Sequence, residues 1–124
     1  MATMLDIITT PTSNDAVLRV YRNECHLNER AADLLTLSSK YRRLRFTTCA
    51  DSDGAKVYVA SMDENFPGTF IPRRRGRSYR IYSKALCEAL SGSLDGYGAY
   101  RIRADATRYY ENKIYYEIYH KKYE

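Results

Sequence analysis

Residues 25–36 read CHLNERAADLLT, and residues 80–91 read RIYSKALCEALS. At an offset of 55, Asn28 falls on Ser83, Ala31 on Leu86, Asp33 on Glu88 and Leu35 on Leu90. Each stretch carries a helix N-cap residue, Asn28 or Ser83, whose side-chain oxygen can accept from a first-turn N–H that has no intrahelical partner. The residue before each cap, Leu27 or Tyr82, is spaced to pack on the fourth helical position, Ala32 or Cys87. Ala31, Leu34 and Leu35 then share one helical face, as do Leu86, Ala89 and Leu90. The spacing predicts two helices of about two turns each, the second ending on Gly92 as a left-handed cap.

Working outward, each helix is followed by a polar loop and a strand with a basic triplet, Arg43-Leu44-Arg45 or Arg101-Ile102-Arg103. Strand alternation puts Leu44 and Phe46, or Tyr100 and Ile102, on one face and the arginines on the other. A hairpin comes next in both copies. Asp53-Gly54 is a strong two-residue turn leading into Lys56-Val57-Tyr58-Val59, and Glu111-Asn112-Lys113 is a weaker one leading into Ile114 to Tyr119. The leading strands are Val17 to Arg22, extended to Leu27, and Tyr79 to Tyr82. The expected fold class is therefore α+β: two tandem βαββ halves forming one small antiparallel barrel or sheet sandwich with two short helices. The halves cover roughly residues 17–61 and 77–120, joined by a basic linker at 62–76 broken by Pro67-Gly68, Pro72 and Gly76. Within that linker, Thr69 to Ile71 suit a short edge strand. Residues 1–15 read as a flexible arm or a strand added to a sheet edge.

A chain of 124 residues supports a single domain. No apolar run approaches the ~18 to 20 residues of a membrane helix, which excludes a membrane-spanning function by helices. The N-terminus lacks the basic start and apolar core of a signal peptide. Cys25, Cys49 and Cys87 are odd in number and far apart, which suits neither a disulfide framework nor a zinc site; a reducing, cytoplasmic setting is the expectation. Ten of the 13 tyrosines lie from Tyr79 onward, so the C-terminal part should be rich in strand. Charge is just as uneven. Residues 40–80 hold ten Lys/Arg against four Asp/Glu, while the rest of the chain is close to neutral.

Enzymatic constellations are thin, and the expectation is a protein that is not an enzyme and takes no metal or cofactor. His26 and His120 are the two histidines, and Cys25 beside His26 is no catalytic pair, because strand neighbours point to opposite faces. Asp51, Asp53, Asp63 and Glu64 sit near turns, where carboxylates serve as turn formers. A glycine-rich phosphate loop and a GxSxG elbow are both absent. A small metal-independent nuclease using Arg, Tyr and His120 would need a cleft gathering a histidine with arginines and a carboxylate.

The basic stretches carry more. Lys40, Arg42, Arg43 and Arg45 form one cluster, and Arg73, Arg74, Arg75, Arg77 and Arg80 form another, with Tyr41 and Tyr79 interleaved. Arginine forks match phosphate and stack on bases, and tyrosines add stacking, so the clusters suit nucleic acid, DNA ahead of RNA. The bland alternative is a solvated loop with partner-facing charge, since arginine and tyrosine are also enriched at protein interfaces.

Cys25 to Phe46, with the Asp53-Gly54 hairpin and Lys56-Val57-Tyr58-Val59, resembles an AbrB-type swapped-hairpin DNA-binding domain. The resemblance rests on Leu27, Asn28, Ala31, Leu34, Leu35, Leu37, Leu44, Phe46, Gly54 and Val57; Ile81 to Tyr119 would be a second, looser copy. It implies DNA binding as a transcription regulator or antitoxin-like protein, with Arg42, Arg43, Arg45, Arg101 and Arg103 as the basic residues near strand ends. The expected function is non-enzymatic nucleic-acid binding through phosphate contacts. The alternative is a protein-interaction or assembly module, self-associating as a homodimer or bound to a protein partner, such as an accessory protein of a mobile element. It would use Tyr109, Tyr110, Tyr115, Tyr116, Tyr119 and Tyr123.

Overall fold

The computed structural model describes residues 15–38, 42–51, 54–63 and 67–122. The elements run β1 (Val17–Val20), β2 (Glu24–Leu27), α1 (Glu29–Leu34), β3 (Arg43–Asp51), β4 (Gly54–Met62), β5 (Thr69–Phe70), β6 (Arg73–Arg75), β7 (Ser78–Tyr82), α2 (Lys84–Ser93), β8 (Gly98–Tyr110) and β9 (Lys113–Lys122). The class is α+β, mostly strand with two short helices. Residues 1–14 of the expected arm, and Lys40, Tyr41, Asp53, Glu64 and Tyr123, lie outside the described residues.

All strand pairs are antiparallel, in the order β5-β3-β4-β9-β8-β1-β2-β7-β6. The two end strands, β5 and β6, are separated in the chain by Ile71 and Pro72 alone. Nine strands laid flat would span about 38 Å at ~4.8 Å per neighbour, whereas three peptide units reach at most about 11 Å. The sheet therefore curls on itself into a half-barrel.

Its concave side holds the main core, where Leu18, Leu27, Leu44, Val59, Ile81, Tyr100 and Ile118 meet Ala31, Leu35, Leu86, Cys87 and Leu90 of the helix segments. Both helices thus occupy the concave side, and among the described residues no helix lies on the convex face of β6, β7, β2 and β1. On the convex face of β3, β4 and β9, a second cluster of Tyr58, Ala60, Met62 and Tyr115 is buried. Three residues of β8, Ala104 to Ala106, have no partner in register between the pairs Arg103↔Glu117 and Thr107↔Tyr116. Beyond that bulge Arg108 Nε donates to the Tyr58 hydroxyl at 3.1 Å, which ties the distal β8–β9 hairpin to this second cluster.

Several expectations change. Tyr82 does not staple α2 at Cys87, because it pairs with Glu24 on the convex face while Cys87 is buried in the core on the other side, and Cys87 rather than the exposed Ala89 joins Leu86 and Leu90 on the buried face of α2. Val17 to Leu27 is a hairpin, not one strand: Tyr21 N–H donates to Glu24 C=O at 3.0 Å, and Leu18 faces Leu27. The reason is parity. In one continuous strand Leu18 and Val20 would face away from Cys25 and Leu27, and the turn brings all four into the same core. Helix α2 runs through Gly92 to Ser93, and Gly96 takes the positive φ of +83°, its N–H bonding Ser91 C=O at 3.1 Å. The segment 62–76 is more than a linker, since it supplies both end strands of the sheet.

Both predicted caps form. Ser83 Oγ accepts from Leu86 N–H at 3.1 Å. Asn28 Oδ1 accepts from Ala31 N–H at 2.9 Å and also from Val17 N–H at 3.0 Å, while its Nδ2 donates to Asp15 C=O at 2.8 Å. Asn28 therefore caps α1 and pins β1 with one amide.

Candidate nucleic-acid interface

Antiparallel partners point to the same side of a sheet, so the register reveals which charges share a face. On the convex side Arg73 lies opposite Arg80, Arg80 opposite His26, and His26 opposite Arg19. These four come from four consecutive strands, β6, β7, β2 and β1, and form one row of about 14 Å at the usual interstrand spacing. Arg75, two residues along β6 from Arg73, faces Ser78 on the same side. Arg101 on β8 faces Val17, two residues from Arg19, and continues the basic surface to a fifth strand.

Arginines brought together on one face persist only where water screens their charge or a counter-ion intervenes. Here the counter-ion is Glu24. His26 Nε2 is hydrogen-bonded to Glu24 Oε1, and an Arg80 terminal nitrogen lies 3.7 Å from the same oxygen. Arg80 Nε is enclosed and, among the described residues, makes no hydrogen bond. Among the described residues, Arg19, Arg73, Arg75 and Arg77 form no ion pair, so most of this positive charge is uncompensated.

Beside the basic row runs an aromatic one. Tyr82 is two residues beyond Arg80 and pairs with Glu24, and Tyr21 is two residues beyond Arg19. The Tyr21 ring packs on His26 with 4.6 Å between centroids, which fixes it on the convex side. Tyr21 and Tyr82 are 45% and 47% exposed, so each ring keeps a free face. Tyr97, just before β8, has the Arg22 guanidinium 5.6 Å above its ring. A groove of about 360 Å³ between Arg19, Tyr21, His26, Asn28 and Ser78 opens along the row.

No family model, curated protein or solved structure matches the chain.

The basic residues singled out in the sequence divide among several places. Arg73, Arg75 and Arg80 join the convex row; Arg77 is exposed in the β6–β7 turn, and Arg74 Nε donates to Gly76 C=O at 3.0 Å. Tyr79 does not stack among the arginines, because it faces Leu27 and packs against the main core. Arg43 and Arg45 alternate with core residue Leu44 on β3, with Arg42 just before them, and Arg45 lies 3.5 Å from Glu111. Arg103 sits apart at the β8 bulge, 3.4 Å from Asp105, whose carboxylate raises its pKa; the guanidinium in turn holds the Asp105 carboxyl below its usual value. Sequence reading missed Arg19, His26, Tyr21 and Tyr82. Their signal is the alternation within β1, β2 and β7, which becomes a surface only once the strand partners are known.

A second cleft, of about 680 Å³, gathers Lys56, Asp95, Arg103, Glu117, His120 and Lys121. It brings a histidine, an arginine and two carboxylates together, yet His120 makes a tilted ring contact with Tyr119 and, among the described residues, no hydrogen bond to a carboxylate. No His/Cys/Asp/Glu group among the described residues could hold a metal ion, and no helix there is long and apolar enough to cross a membrane.

Proposed function

We propose that this chain is a non-enzymatic nucleic-acid-binding protein whose affinity comes from phosphate contacts along the convex basic row. The observation that carries this reading is the register Arg73–Arg80–His26–Arg19 across four strands, with one intervening acid, Glu24. Guanidinium groups at this spacing can each reach a backbone phosphate, and the helices on the other side leave the approach open.

In this reading the chain is two related βαββ halves in tandem, in the manner of AbrB-type swapped-hairpin domains acting as transcription regulators or antitoxin-like proteins. Two pairings support it. The strand before each helix pairs antiparallel with its counterpart, β2 with β7, and the last strand of each half does likewise, β4 with β9. Antiparallel pairing of equivalent strands is what a two-fold relation between halves requires.

The test is binding to labelled nucleic acid across a salt series. Removing one phosphate-binding side chain should lower the log–log salt slope by about 0.7 to 0.9. Replacing Arg73, Arg75 and Arg19 with Ala should lower the slope by about 2 to 3. Tight binding with an unchanged slope in that triple variant would refute the assignment.

A second reading, a protein-interaction or assembly module, is favoured by the distal β8–β9 hairpin. Tyr109 and Ile114 face each other across its strands and are 71% and 48% exposed. Absence of nucleic-acid binding, together with self-association that Tyr109→Ser abolishes, would select this reading.

A further inference from the structure

The aromatic row beside the basic row narrows the ligand. Along a strand, residues two apart are separated by about 6.6 to 6.8 Å, so Tyr82 lies one such step from Arg80, and Tyr21 one step from Arg19, on the same convex face. A nucleic-acid strand crossing β7, β2 and β1 with its phosphates over the arginines would hang its bases over these rings. In a duplex the base faces are covered by stacking on the neighbouring pairs and are withheld from such a platform, whereas a single strand offers each base for stacking. Glu24 between the two rings supports the same conclusion. Its carboxylate is engaged by His26 and Arg80, so it holds the phosphate-binding side chains in place while occupying the row where uncharged bases would lie.

We propose that the convex face binds single-stranded nucleic acid running across the strands, phosphates on the Arg80–His26–Arg19 row and bases stacked on Tyr82 and Tyr21. This rests on the nucleic-acid reading above and adds the strandedness of the ligand and the side chains that select it.

The experiment is fluorescence anisotropy of the full chain with labelled oligo(dT) and oligo(U) of about 15 nucleotides, within the site sizes of single-strand binders, and with a duplex of equal length. Wild-type protein should prefer the single strands. Tyr21→Ala and Tyr82→Ala should each weaken single-strand binding about tenfold, the range of one base stack, with no change in salt slope. Tyr21→Phe and Tyr82→Phe should retain affinity within about twofold, since the ring face does the stacking. Both rings are half-exposed, so these substitutions leave the core intact. Equal or tighter duplex binding, unmoved by the tyrosine changes but abolished on replacing Arg73, Arg75 and Arg19, would overturn the single-strand proposal and keep nucleic-acid binding. No binding to any probe would overturn both. The difference between oligo(dT) and oligo(U) decides between DNA and RNA as the source of the strand.

Discussion

The Sγ atoms of Cys25 and Cys87 lie 3.3 Å apart in the main core, joining β2 to the first turns of α2 as reduced thiols. Cys25 comes from a strand whose partner, β7, leads directly into α2. The contact therefore closes a unit in which strand pairing and helix packing reinforce one another, and both side chains are fully enclosed.

Burial penalises the thiolate, so the Cys25 thiol is pushed well above its ordinary value of 9.0, and the Cys87 thiol shifts the same way. The native state holds these protons longer than the unfolded chain does. The associated stability is complete below about pH 9 and declines as the pH rises further, by at most ~1.4 kcal/mol per unit for each thiol. Urea midpoints measured from about pH 8 to pH 11 should fall for the wild type, and Cys25→Ala should flatten that decline although it starts from a lower midpoint. An equal slope in the variant would show that the thiol is not the group responsible.

The two helix caps should differ in strength. Ser83 satisfies one N–H, and Ser83→Ala should cost about 1 kcal/mol. Asn28 makes three hydrogen bonds, two of them outside its helix, so Asn28→Ala should cost about 2 to 3 kcal/mol. Asn28→Ser would keep the cap and give up the Asp15 hydrogen bond, giving an intermediate value. Chemical denaturation of the three variants checks the order.

The β8–β9 turn carries a local cost that can be relieved. Glu111 and Asn112 both adopt positive φ, 51° and 63°, as a two-residue hairpin of this type requires. Asparagine adopts that region at a lower cost than glutamate does. Glu111→Asn gives up the Arg45 ion pair at 3.5 Å, which is solvent-exposed and weak, and should still stabilise the protein by about 0.5 kcal/mol. Thermal unfolding should shift upward by roughly 2 to 3 °C.

Much of the architecture is legible locally. Asn28 and Ser83 can be recognised as caps because an N-cap depends on the residue and the next three positions. Leu44 beside Arg43 and Arg45 can be assigned to a core face because a strand has a period of two. The β1–β2 turn is also within reach, since Leu18 and Val20 have opposite parity to Cys25 and Leu27. Gly92 does not end its helix, because a glycine late in a helical pattern is compatible with both the interior and the cap, and Gly96 supplies the positive φ instead.

The sequence by itself determined the short helices, their caps, the alternating strands and the concentration of arginine in the middle of the chain, because each depends on interactions within a few residues. Only the tertiary structure decided that Arg19 and His26 join Arg80 and Arg73 in one row, that Tyr21 and Tyr82 flank them, and that Tyr79 faces the core. Strand partners far apart in the chain are selected by burial of the whole concave face, and that choice settles which side chains share a surface.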